Sequence, residues 1–142
     1  MTRTVFTRTA EWCLQEENIL YCKMIEDLEV QVEDVEENFQ MAMSLVKGNR
    51  FTALVDARLC GGITKEAMDR AHQPESYTLL IAQAIVVDSL PNRLIANFII
   101  KFHKPSAPTK LFSTPEAGLT WLHKQIIKER KEKNKRRQTM LW

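Results

Sequence analysis

The chain has 142 residues, a length that a single domain fills and that suffices to bury a sizeable core. Hydrophobic residues at 44% and charged residues at 27%, with only four Gly and five Pro, exclude a fibrous or low-complexity chain. The net charge of +2 hides an asymmetry: eight of the 20 Lys/Arg but only two of the 18 Asp/Glu lie between Lys124 and Arg137, which leaves 12 basic against 16 acidic residues elsewhere.

The opening stretch MTRTVFTRTA lacks the apolar centre of a secretory signal. No apolar run approaches the roughly 20 residues of a membrane helix, so a cytoplasmic location is expected. Cys13, Cys22 and Cys60 are odd in number and match no zinc or redox spacing, so they are expected to be reduced and structural.

In chain order, TAEWCLQ and NILYCKMI alternate apolar and polar residues on either side of Glu16-Glu17-Asn18 and predict a hairpin. From Val32 to Lys47 the period becomes helical, with Val32, Val35, Phe39, Ala42, Met43 and Val46 on one face and acidic residues crowding the first turns. Gly48 supplies the stop. FTALVDAR, 51–58, predicts a buried strand, and Thr64 then caps a helix to about His72. IAQAIVVD, 81–88, is a second buried strand. Ser89 caps the next helix, whose Pro91 lies in a first turn that has no internal N–H bond to lose.

That helix carries an apolar arc of Leu90, Leu94, Ile95, Phe98, Ile99 and Phe102, which is expected to be buried. Arg93, Asn97, Lys101 and Lys104 form the polar stripe, with apolar Ile100 beside it. Pro105 and Pro108 end the helix, PTKLFST is a short strand, and a last helix starts near Pro115-Glu116 and runs into the basic stretch. The order β-β-α-β-α-β-α-β-α predicts an α/β fold, a mostly parallel sheet flanked by helices and opened by an antiparallel hairpin. Residues 1–127 form the expected domain and 128–142 a basic C-terminal helical extension or tail.

Catalytic chemistry finds little support. His72, His103 and His123 lie in polar helix or helix-end contexts beside no recognisable nucleophile and are expected to be exposed. The acidic cluster Glu33, Asp34, Glu36 and Glu37 is explained by the helix dipole, and no metal or cofactor is expected. The Cys60-Gly61-Gly62 turn lacks the spacing of a phosphate-binding loop. In a parallel sheet, polar residues leaving the strand ends collect at the carboxyl edge, where ligands bind. Asp56, Arg58, Thr64, Ser89 and Arg93 are expected on that rim, continued by Asn97 and Lys101.

The stretches LVDAR, ITKEA, AIVVDSLPNRLIANFIIKFHKP, PTKLFST and EAGLTWL resemble the STAS-like group of small bacterial domains, of the SpoIIAA-like, STAS/SEC14 type, across roughly residues 10–127. The resemblance implies that fold and a non-catalytic regulatory module that acts by binding a protein partner. Its SEC14-like side implies, as the alternative, a carrier or sensor of an apolar small molecule or lipid. In anti-anti-sigma members a Ser or Thr at the helix start after the third strand is phosphorylated. The counterpart here is Thr64, with Ser89 the poorer candidate, although the D-S-S-G-type signature is replaced by LCGGIT. A net acidic body disfavours nucleic acid as the main partner. The basic tail with its apolar end is read as a solvated helix, with contact to an anionic membrane surface as the alternative, and self-association is left open.

Overall fold

The computed structural model describes residues 3–25 and 28–140. Six strands form one sheet in strictly sequential order: β1 (Thr4–Phe6), β2 (Ala10–Gln15), β3 (Ile19–Met24), β4 (Phe51–Asp56), β5 (Leu80–Val86) and β6 (Thr109–Phe112). The first three pair antiparallel and the last four parallel. The helices are α1 (Val32–Val46), α2 (Lys65–Ala71), α3 (Leu90–His103) and α4 (Pro115–Met140). The expected β-α alternation is present, with one strand added at the front: β1 is only three residues long, too short to carry a period. Residues 128–140 continue α4 without a break, while the apolar end at Leu141 and Trp142 lies outside the described residues.

Each parallel pair needs a crossover, and crossovers are right-handed. Because β3, β4, β5 and β6 follow one another across the sheet, α1, α2 and α3 fall on the same face, here called the front, and α4 alone covers the back. The side chains alternate accordingly. Leu20, Cys22, Phe51 and Ala53 face the front with Ala42 and Val46 of α1. Ile19, Leu54, Ala82, Ala84 and Val86 face the back, against Leu122 and Ile126 of α4. Gly118 lets α4 lie close to the sheet, since a Cβ there would come within 2.9 Å of Leu54 and 3.2 Å of Ala84.

The β1–β2 turn clamps α1. Arg8 donates two hydrogen bonds of 2.7 Å to the buried carboxylate of Asp34, which also accepts from the Gln31 backbone N–H as part of a capping box. The Arg8 guanidinium holds the Asp34 carboxyl below the usual carboxylate range. Beside it, Trp12 Nε1 donates to Thr7 Oγ1, Thr7 bonds to Asn38 Oδ1, and Asn38 Nδ2 donates to Thr9 Oγ1. Burial pushes the Cys22 thiol up to about 12, which keeps it protonated and inert. All three cysteines are free. No helix among the described residues is long and apolar enough to cross a membrane.

Two substitutions on the back of the sheet should act in opposite directions. Leu122 is fully buried, so Leu122→Ala should cost about 2–5 kcal/mol. Thr52 is also fully buried and its hydroxyl has no partner among the described residues, so Thr52→Val should raise stability by about 1 kcal/mol. Urea unfolding of both variants reads the two signs.

Candidate binding surface on the last crossover helix

Local sequence places α3 firmly. Ser89 Oγ accepts from the Asn92 N–H, Pro91 occupies the first turn, and Lys104 closes the helix in a left-handed conformation with its N–H on Ile100 O at 2.9 Å. The helix turns its other surface to solvent from that expected. Leu90, Leu94, Ile95, Phe98 and Phe102 are 57–71% exposed, and no residue of α3 is buried. The half-buried residues are Asn92, Arg93, Ala96, Ile99, Ile100 and His103. Of the expected buried arc only Ile99 turns inward, and Ile100, expected outside the arc, joins it. The polar stripe does not mark the outer face by itself: Asn97, Lys101 and Lys104 are exposed on one flank of the apolar ridge.

The reason lies in what the body offers. The main packing contact of α3 is with β6, a four-residue edge strand. On the front of this corner stand half-buried Ile85 and Gln83, the latter donating to Thr109 Oγ1. Such a floor accommodates the narrow side of α3 around Ala96 and Ile99, and the large side chains stay outside. An open groove of about 680 Å³ separates α3 from α2, lined by Ile63, Met68, Ile85, Val87, Ile95 and Ile99 among others.

The expected rim residues distribute as follows. Asp56 and Arg58 stand at the carboxyl edge and are paired with each other at 2.7 and 2.9 Å, which holds the Asp56 carboxyl below its usual range. Arg93 reaches Ser113 at 3.3 Å, tying α3 to the end of β6. The Thr64 hydroxyl accepts from the Ala67 N–H as the α2 cap, and the Ser89 hydroxyl is engaged in the same way on α3. Asp56 and Arg58 are thus brought together at one edge, and Asn97 and Lys101 lie out along α3. Among the described residues no group of three His, Cys, Asp or Glu could hold a metal ion.

One contact was not legible. His72 at the end of α2 and His103 at the end of α3 are half-buried, not exposed as expected, and their rings stack with centroids 4.1 Å apart. His72 Nδ1 also meets Met68 O at 2.8 Å, Tyr77 lies 6.3 Å away, and the Phe102 ring sits edge-on to His103. Burial lowers the His72 pKa, reinforced by His103 and opposed by the Met68 carbonyl and Asp69. Thirty-one residues separate the two histidines, so only the tertiary fold reveals the pair.

Two outcomes follow, one for α3 and one for the histidine pair. At dilution high enough to keep the chain monomeric, Leu94→Ser or Phe98→Ser should change the unfolding free energy by no more than about 0.5 kcal/mol, whereas truncating a buried Phe costs about 3–5 kcal/mol. For His72, the unfolded chain takes up the proton more readily than the folded one. Its stabilisation is therefore present above the unfolded value of 6.5 and lost as pH falls through the lower folded value. Urea midpoints between about pH 8 and pH 5 should fall for the wild type and fall less for His72→Phe.

Comparison with known proteins agrees with this architecture. A crystal structure of an uncharacterised protein of the DUF3478 family from Shewanella loihica PV-4, described as having a SpoIIAA-like fold, matches over 86% of this chain and 92% of that one. The TM-score is 0.59 at 17% sequence identity, so the likeness is one of fold. No curated protein matches the sequence. The model of a domain of unknown function, DUF7793, matches residues 13–126. A SpoIIAA-like α/β domain with α3 turned outward is therefore what this sequence builds, and the chain belongs to the DUF7793 family.

Proposed function

We propose that the protein is a non-catalytic, regulatory binding module that captures a protein partner on the outer face of α3. One observation carries the reading: five bulky apolar side chains of one helix stand in solvent in a chain whose other exposed large hydrophobics are scattered. Large contiguous apolar patches on soluble domains mark interaction sites. The flanking Asn97, Lys101 and Lys104 supply a polar rim, the usual anatomy of an interface with an apolar centre. Of the expected rim, Ser89 caps this helix and Arg93 ties it to Ser113, while Asp56 and Arg58 pair with each other and Thr64 caps α2. Phosphate at Thr64 or Ser89 would add negative charge and acceptor oxygens at the N-terminus of α2 or α3, where the dipole and free N–H groups favour them, so modification there would act on this surface through helix placement. A protein of this kind would act in the cytoplasm of a bacterium.

A second reading rests on a different feature. The groove between α2 and α3 has the volume and apolar lining of a site for a small apolar molecule. Native mass spectrometry of protein purified from its host reads this directly as added mass lost on denaturation.

The partner reading is tested by placing a photo-crosslinking residue at position 98 and, as control, at position 124 on the exposed side of α4. Irradiation in the native host should yield discrete protein adducts from position 98 and none from position 124. Equal labelling at both positions, or no protein adduct at 98, contradicts the reading.

A further inference from the structure

We infer that the outer face of α3 is a self-complementary surface whose occupant is a second copy of this chain, packed antiparallel across a two-fold axis. The inference deepens the proposed reading of α3 as a protein-binding surface and rests on it.

Three features of α3 select this occupant. The first is the ridge: Leu90, Leu94, Phe98 and Phe102 are spaced by four, the row that interdigitates with its own kind when two helices cross. The second is size. The ridge is graded, with two Leu at the N-terminal end and two Phe, stacked with centroids 6.2 Å apart, at the C-terminal end. A parallel pairing sets Phe against Phe at one end and Leu against Leu at the other. An antiparallel pairing about position 96 sets Leu94 opposite Phe98 at the crossing point and turns Leu90 toward Phe102 at its margins, so each ring meets a smaller side chain. The third is the helix dipole: antiparallel packing sets the two dipoles side by side in opposite directions, each N-terminal end beside the C-terminal end of the second copy.

The area is of the right order. The four side chains of the ridge expose roughly 600 Å² per copy, at the upper end of the largest apolar patch on an ordinary monomer. With the Asn97, Lys101 and Lys104 rim, the contact approaches the roughly 800 Å² per partner of a standard interface. Pairing along the ridge covers Leu90, Leu94, Phe98 and Phe102, while the α2–α3 groove lies on the other side of Ile95 and stays accessible.

Sedimentation velocity of the full chain across the micromolar range tests the inference. The wild type should sediment as a dimer, and Phe98→Glu as a monomer with unchanged far-ultraviolet circular dichroism. Leu94→Glu, on the same exposed ridge, should likewise sediment as a monomer, which keeps the test independent of whether Phe98→Glu folds. A wild type that stays monomeric overturns the inference, as does a dimer insensitive to both the Phe98 and the Leu94 variants. A monomer that co-sediments with phosphatidylcholine vesicles also overturns it and assigns the face to lipid. The two readings fail separately: a monomer that still gives protein adducts from position 98 leaves the partner-binding reading standing, whereas a monomer without adducts removes both.

Discussion

Handedness and strand order together dictate where every helix of this protein can go. Four consecutive parallel strands, each joined to the next by a right-handed crossover, put α1, α2 and α3 side by side on one face. Strands repeat every 4.8 Å or so, and β3 to β6 therefore span about 14 Å. Three helices packed at 8–10 Å spacing would need about 16–20 Å between their outer axes, and here a groove holds α3 still further from α2. The row of helices is wider than the strands it connects, and its two outer members overhang.

The two overhangs are resolved differently. On the α1 side the hairpin extends the sheet, and β1–β2 carries the devices that hold the helix: Arg8 on Asp34, Thr7 and Thr9 on Asn38, and Trp12 beneath them. On the α3 side β6, four residues long, is the last strand among the described residues, and the floor ends with it. The helix is fixed at its ends instead, by Arg93 on Ser113 and by the His72–His103 stack. An amphipathic helix anchored at both ends over too small a floor keeps most of its apolar surface in water. That cost of roughly 25 cal/mol per Å² is recovered when something covers the face.

Local chemistry made most of the architecture readable. The caps at Thr64 and Ser89, the stop at Gly48, the helical period from Val32 and the apolar strands at 51–58 and 81–88 each state a local preference that the fold keeps. The orientation of α3 could not be read this way. Periodicity shows that Leu90, Leu94, Phe98 and Phe102 share a face, but the direction of that face depends on how much sheet lies under the helix, a property of the strand order. The short strand β1 escaped for want of length, and the histidine pair because its members come from different crossovers. Asp56 and Arg58 were placed at the correct edge of the sheet, since strand ends follow from strand positions. Their mutual pairing, which occupies both charges, depends on the conformation of the loop.

The outward orientation of α3 is the claim on which the rest turns, and hydroxyl-radical footprinting of the dilute monomer read by mass spectrometry measures it residue by residue. The account predicts strong labelling of Leu90, Leu94, Phe98 and Phe102, weaker labelling of Ile99 and Ile100, and protection of Leu122 on the opposite side of the sheet. Protection of Phe98 and Phe102 together with strong labelling of Ile100 would contradict it, because the helix would then bury the apolar arc that its sequence advertises.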